Sequence, residues 1–150
     1  MFVKIKNNNE VDKFPYSLKE LREDNTKVSW PSQISLALAA EHGVYPVSVG
    51  SMPAKNALVQ TLNRNTEPTY RDNQWWIDYE VAYIIEADAI INVKSERDFL
   101  LSQSDWVVIK SKELDTAVPE VWLNYRKSLR DIPEQEEFPF TVIWPDKPLA

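Results

Sequence analysis

Few residues in this chain are equipped to do chemistry, and those few lack partners at a useful spacing. His42 is the only histidine. A catalytic histidine needs a nucleophile to serve or an acid to orient it, and the neighbouring sequence offers neither. The preferred reading is a surface role at a helix C-terminus, where a cation meets the negative end of the helix dipole. Asp78 and Glu80 are two apart, so they share one face of a strand and form a tempting carboxylate pair for acid–base or metal work. Polar side chains are also what the wet face of a half-buried strand carries, and that reading is preferred. Glu134, Glu136 and Glu137 form an acidic cluster that reads as solvated loop. With no Cys, a thiolate nucleophile, a disulfide and a Cys-based zinc site are excluded. With two Gly, a loop that cradles phosphates is excluded too, because such loops need close backbone approach. No nucleophile-elbow motif is present. The expectation is a protein that is not an enzyme, with no catalytic residue, no cofactor and no metal.

Composition bounds the remaining choices. The 150 residues suffice for one ordinary domain or two small lobes. Apolar residues make up 43% and charged residues 27%, a globular balance. Six Trp, six Tyr and five Phe supply much buried area per side chain. Ten Pro against two Gly mean that turns must rest mainly on Pro, Asn, Asp and Ser. The net charge of -6, with no basic run, argues against nucleic acid as a partner. No apolar run is long enough to span a bilayer, and the N-terminus lacks the apolar stretch of a signal peptide, so no membrane role is expected.

The elements that would position any site read as follows. Phe2-Val3-Lys4-Ile5-Lys6 alternates as a short strand, and Asn7-Asn8-Asn9 reads as a turn. Ser17 and Glu20 match a capping box that opens a helix over Leu18 to Glu23. Ser32 to His42 is predicted helical, with Ile34, Ala37 and Leu38 as its apolar stripe and Gly43 as its left-handed cap. Trp75 to Tyr83 alternates strictly and predicts one strand, with a partner between about Leu58 and Arg64 and a connection over Asn65 to Asn73. Glu86 to Ser102 predicts a helix, with a possible break near Ser95 because Ile90, Ile91 and Val93 are poor helix formers. Val118 to Ile132 predicts a helix with Pro119 in its first turn and Pro133 as its stop; Val118, Trp122, Tyr125, Leu129 and Ile132 share one face. Glu134 to Ala150, with Pro139, Pro145 and Pro148, should be extended. The fold class is α+β: residues 1–85 form a lobe with a small antiparallel sheet and short helices, and residues 86–150 form a helical lobe with an extended Pro-rich tail.

The C-terminal third carries the densest constellation. It includes Arg97-Asp98, Leu100-Leu101, Ser104-Asp105-Trp106, Trp122, Tyr125-Arg126, Leu129-Arg130-Asp131, Phe138-Pro139 and Trp144-Pro145-Asp146-Lys147-Pro148. A helix bearing Trp122 and Tyr125 can bury that face against the preceding helix, with Trp106 filling the gap. Arg126 and Arg130 are four apart and can meet Asp98, Asp105 or Asp131. Trp106, Trp122 and Tyr125 are expected to be core. The tail has little conformational freedom to lose on docking, so Phe138, Pro139, Trp144, Pro145, Lys147 and Pro148 are the candidate partner-binding residues.

From Arg97 to Pro148 this constellation resembles the C-terminal domain of bacteriophage tail assembly chaperones and tail-fibre assembly proteins. Tyr125-Arg126-x-x-Leu129-Arg130-Asp131 followed by Trp144-Pro145-x-Lys147-Pro148 carries the resemblance. Pro15-Tyr16-Ser17-Leu18-x-x-Leu21-Arg22-x-Asp24, Ser29-Trp30-Pro31 and Gly43-Val44-Tyr45-Pro46-Val47 are similar to a small N-terminal domain of related phage tail proteins. There the usual triplet is Ser-Phe-Pro, so Trp30 departs in size. The resemblance implies involvement in building or completing a phage tail and leaves open whether the protein stays in the virion. The first reading is a non-enzymatic protein that binds tail-fibre, baseplate or neighbouring tail subunits, as a virion structural or adaptor component or an assembly factor, in multiple copies in a symmetric tail. It would be made in the host cytoplasm and is expected in the virion tail after assembly. The alternative is a transient chaperone that leaves before the virion is complete. A remote alternative from another class is a carboxylate-dependent cell-wall hydrolase built on Asp78 and Glu80.

Overall fold

A computed structural model describes residues 1–6 and 10–149. The turn expected at Asn7-Asn8-Asn9 lies outside the described residues, as does Ala150. The elements in chain order are β1 (Phe2–Ile5), β2 (Val11–Tyr16), α1 (Leu18–Asp24), α2 (Leu36–Glu41), β3 (Val44–Val49), β4 (Gln60–Arg64), β5 (Thr69–Arg71), β6 (Gln74–Ile77) and β7 (Tyr79–Tyr83). They continue with α3 (Glu86–Gln103), α4 (Asp105–Glu113), α5 (Glu120–Arg130) and a 3-10 turn (Ile132–Glu134). The fold is α+β, as its patterning indicates. The chain divides into two compact units. The first comprises residues 1–54 and 62–81, and the second residues 55–61 and 82–150.

The first unit is built on a five-stranded sheet of order β2-β1-β3-β6-β5. β3 and β6 run parallel, while the other neighbouring pairs are antiparallel. Successive side chains of a strand point to opposite faces, and the two faces are filled differently. Val3, Val47, Trp75 and Ile77 pack together on one face with Val11 and Phe14. Tyr16, Leu21, Ala39 and Val44 pack on the other, where Leu18 and Ile34 join them. α1 begins where Ser17 predicts, with both halves of the capping box formed. Tyr16 donates from its hydroxyl to Asp24 at 2.6 Å, which ties the end of α1 back to β2.

Several expectations are corrected in this unit. α2 starts at Leu36, capped by the Ser35 hydroxyl, and not at Ser32. Ile34 therefore precedes the helix, and Ala39 is its buried residue in place of an Ile34–Ala37–Leu38 stripe. The predicted strand from Trp75 to Tyr83 is two strands. β6 joins the five-stranded sheet and β7 pairs with β4, with Asp78 between them. The break falls where the chain changes sheet partners, and there the Arg71 guanidinium grips the Asp78 carboxylate with two bonds. The connection expected over Asn65 to Asn73 contains β5, which forms a hairpin with β6. Asp72 and Asn73 make that turn with φ of 50° and 57°. Such values normally favour Gly, and Asp and Asn are the residues that best replace it.

The second unit is helical around one core of Val59, Ala89, Val93, Val107, Trp122, Tyr125, Leu129 and Ile132. α3 runs unbroken through Ser95, because Ala89 and Val93 are four apart and fully buried. Tertiary packing of that pair outweighs the low helix propensity of Ile90, Ile91 and Val93. α5 is shorter than predicted: Pro119 is its N-cap, and Pro133 falls in the 3-10 turn beyond Asp131. Its predicted apolar face is the one buried, with Leu129 and Ile132 both at 0% exposure. Each such side chain contributes about 1.5–3 kcal/mol by leaving water.

Candidate interaction surface

Ser104, Asp105, Trp106, Trp122, Tyr125 and Arg126 of the C-terminal constellation meet at the junction of α3, α4 and α5. α4 was not apparent in the sequence, which shows Ser104-Asp105-Trp106 with no Gly or Pro to end α3. In the structure α3 stops at Gln103 and the chain turns over Ser104 straight into α4. Ser104 is fully buried and donates from its hydroxyl to the Leu101 carbonyl at 2.7 Å. Arg126 reaches from α5 into this junction. Its guanidinium donates to the Leu101 carbonyl at 2.9 Å and to the Ser104 hydroxyl, and it pairs with Asp105 at 2.8 Å. One side chain thereby engages the end of α3, the turn and the first residue of α4. A rigid fork of donors suits that task better than a flexible ammonium.

The other motif residues are placed around this pin. Trp122 and Tyr125 are buried, with ring centroids 5.9 Å apart in an edge-to-face arrangement. Trp106 meets the edge of Trp122 at 5.8 Å yet remains 45% exposed, so it covers the junction from outside and does not fill a gap inside it. Arg97 pairs with Asp98 at 2.6 Å. Arg130 donates to the Arg126 carbonyl at 3.4 Å, and Asp131 is the C-cap of α5.

The extension expected from Glu134 is corrected: Glu134 ends the 3-10 turn and residues 136–140 form turns, while residues 142–149 adopt neither helix, strand nor turn. Their placement separates the six candidate partner-binding residues. Phe138 and Trp144 pack on the core of the second unit, together with Phe140 and Val142, and Pro139 is buried. Tyr83 meets Phe140 edge-on at 4.9 Å. Gln135 holds the segment by its side-chain amide, donating to the Ile143 carbonyl at 2.9 Å and accepting from the Ile143 N–H at 2.8 Å. That double bond pattern imitates a neighbouring strand, and no sequence motif announces it. Ile143 is then turned outward and is 78% exposed. Pro145, Lys147 and Pro148 border an open groove of about 580 Å³ with Val121 and Ser128 of α5. Lys147 reaches Gln103 at 3.3 Å.

A second depression opens beside the α3–α4–α5 junction. It measures about 230 Å³ and is lined by Trp106, Val107, Lys110, Leu114, Pro119 and Trp122, among others. Leu114 is 62% exposed at its rim. Lys110 and Leu114 carry no signal in the sequence once α4 is missed. With α4 assigned, Trp106, Lys110 and Leu114 follow at helical spacing.

The residues considered for chemistry do not converge. His42 is the C-cap of α2 and stacks at a tilt on Trp30, with centroids 4.8 Å apart. Arg71 holds the Asp78 carboxyl below its ordinary range, and the exposed Glu80 belongs to β7. Among the described residues, no group of three or more His, Cys, Asp or Glu is placed to hold a metal ion. None of the described helices is long and apolar enough to cross a membrane.

Residues 90–149 match the phage tail assembly chaperone protein family. The match begins within α3, runs through α4, α5 and the segment that follows, and covers most of the second unit. The resemblance drawn from Arg97 to Pro148 is thereby upheld, and it links the chain to the assembly of a phage tail. Residues 1–89 lie outside the matched span. No curated protein and no solved structure matches the chain.

Proposed function

We propose that the chain is a non-enzymatic phage tail protein that binds tail-fibre, baseplate or neighbouring tail subunits and remains in the virion. The observation that carries this reading is the tail assembly chaperone domain over residues 90–149. The exposed apolar side chains of the same unit support it. Trp106, Ile109, Leu114, Val121 and Ile143 each present between 45% and 78% of their surface to solvent. Exposed apolar area supports association where it is contiguous, as Trp106 and Leu114 are around one depression. Tail structures are rotationally symmetric, so equivalent sites would bind several copies. Lys147, Pro148 and Pro145 are the tail residues proposed to touch the partner. Phe138, Pro139 and Trp144 act behind them, by holding the segment on its own core.

Mass spectrometry of purified phage particles tests the reading. The expected result is the chain at a fixed stoichiometry with a tail-fibre or baseplate protein. Its presence in infected-cell extracts bound to a tail protein, but not in particles, would instead establish the transient chaperone. Removing Asp146 to Ala150 leaves Trp144 in place and should weaken co-purification with the partner. Unchanged co-purification refutes the role given to Lys147 and Pro148.

A further inference from the structure

We infer that the depression beside Trp106 and Trp122 is a socket for one large apolar side chain of a partner segment, with a carboxylate next to that side chain. The inference rests on the binding role proposed above and gives the chemistry of what is bound. Volume is the first argument. About 230 Å³ is smaller than the several hundred Å³ of a typical small-molecule site and is on the scale of a single Leu, Phe or Trp side chain. The walls are the second. Buried Trp122 forms the floor, while half-exposed Trp106 and exposed Leu114 stand at the rim, so an inserted apolar group would remove both from water. Centrally placed pockets of this kind, walled by Trp, are where single anchoring side chains contribute most to association.

Charge is the third argument, and it selects the occupant. Among the described residues that line the socket, Lys110 is the one charged side chain and no carboxylate is present. Its ammonium lies over the Trp106 ring, 5.9 Å from the centroid, and it forms no ion pair among the described residues. Within the lining no carboxylate competes for that cation, so one that pairs with it inside the socket would come from the partner. A cation already desolvated on one side by an aromatic face gains more from that carboxylate than one in open water. The surface of α4 thus offers an apolar hole and a free positive charge side by side. Their complement is a segment reading acidic–apolar.

Titration of the full chain with short capped peptides tests this, read by NMR at the indole N–H groups of Trp106 and Trp122. Gly-Gly-Asp-Leu-Gly-Gly and Gly-Gly-Asp-Phe-Gly-Gly should shift both signals with a roughly millimolar Kd, the strength of one anchoring side chain. Replacing the peptide Asp by Lys, or the Leu by Ala, should weaken binding about tenfold. Lys110→Glu should reverse the preference between the Asp and Lys peptides, and Ala117→Phe, which fills the hole from its wall, should abolish both shifts. Lys110 and Ala117 are exposed, and unchanged spectra away from the socket would confirm that both variants fold. Equal shifts with the Asp and Lys peptides, or peptide binding unaffected by both substitutions, overturns the inference. So does concentration-dependent self-association that Ala117→Phe abolishes, which would make the occupant a second copy. A chain that binds none of the peptides but still co-purifies with a tail protein overturns the socket and leaves the binding role standing. Selective peptide binding without any tail association would do the reverse.

Discussion

Replacing Arg126 by Ala should cost the second unit about 2–3 kcal/mol. The side chain is 12% exposed, so its removal strips out two buried methylenes worth roughly 1.6 kcal/mol. The guanidinium also makes bonds to the Leu101 carbonyl, the Ser104 hydroxyl and the Asp105 carboxylate. Hydrogen bonds to a charged group contribute about 1.5–3 kcal/mol, and the full sum is reduced because the variant no longer has to desolvate a cation. The Leu101 carbonyl is not orphaned, since the Ser104 N–H and hydroxyl still donate to it. Asp105 is 54% exposed and rehydrates readily, so Asp105→Asn should cost no more than about 1 kcal/mol. Arg126→Met, which keeps the stem, should recover roughly half of the loss. Thermal unfolding by circular dichroism should show a Tm lower by roughly 5–12 °C for Arg126→Ala. Hydrogen exchange should quicken across residues 86–130 and not across β1 and β3. If Arg126→Ala lies within 1 kcal/mol of the parent, or if Asp105→Asn costs as much as Arg126→Ala, the pinning argument fails.

Three further outcomes are expected. Gly43→Ala should destabilise the first unit by about 1–3 kcal/mol in urea unfolding, because φ is +70° and a Cβ would lie 2.9 Å from the Ile5 carbonyl oxygen. Gln135→Ala should speed exchange of the Ile143 amide about tenfold or more, as two bonds of about 0.5–1.5 kcal/mol are lost; Gln135→Glu, which accepts but cannot donate, should fall between. Acid should destabilise the first unit. The Tyr16 hydroxyl, helped by Lys4, holds the Asp24 carboxyl below its ordinary range, Lys13 and Ser17 do so for Glu20, and Arg71 for Asp78. Depressed values mean stability that is complete above the unfolded carboxylate range near pH 4 and is lost as pH falls through the folded values. Burial raises the Tyr16 hydroxyl, so a second loss should begin as pH rises past about 10. A pH–stability curve of Asp24→Asn should be flatter on the acid side; an unaltered curve would remove Asp24 from this account.

Local signals decided much of the architecture. The capping box at Ser17 and Glu20 sets the start of α1, and the four-three spacing from Val118 to Ile132 names the buried face of α5, because both depend only on residues within a turn or two of each other. Gly43 at positive φ belongs to the same class. The order of residues from Arg97 to Pro148 carried the resemblance to the tail assembly chaperone family.

Long-range pairing decided the rest. Alternation from Trp75 to Tyr83 is the same whether the residues form one strand or two. The break at Asp78 follows from which strands lie alongside. The α3–α4 break was not legible because its turn has no Gly or Pro and is held by Arg126 from the distant α5. The aromatic residues of the C-terminal third show the limit most plainly. Spacing places Trp122 on the buried face of α5, but composition marks Trp106, Phe138 and Trp144 alike as large apolar side chains. Which of them is buried and which faces solvent depends on where α4 and the Gln135-held segment come to rest, and that is settled by contacts between residues far apart in the chain.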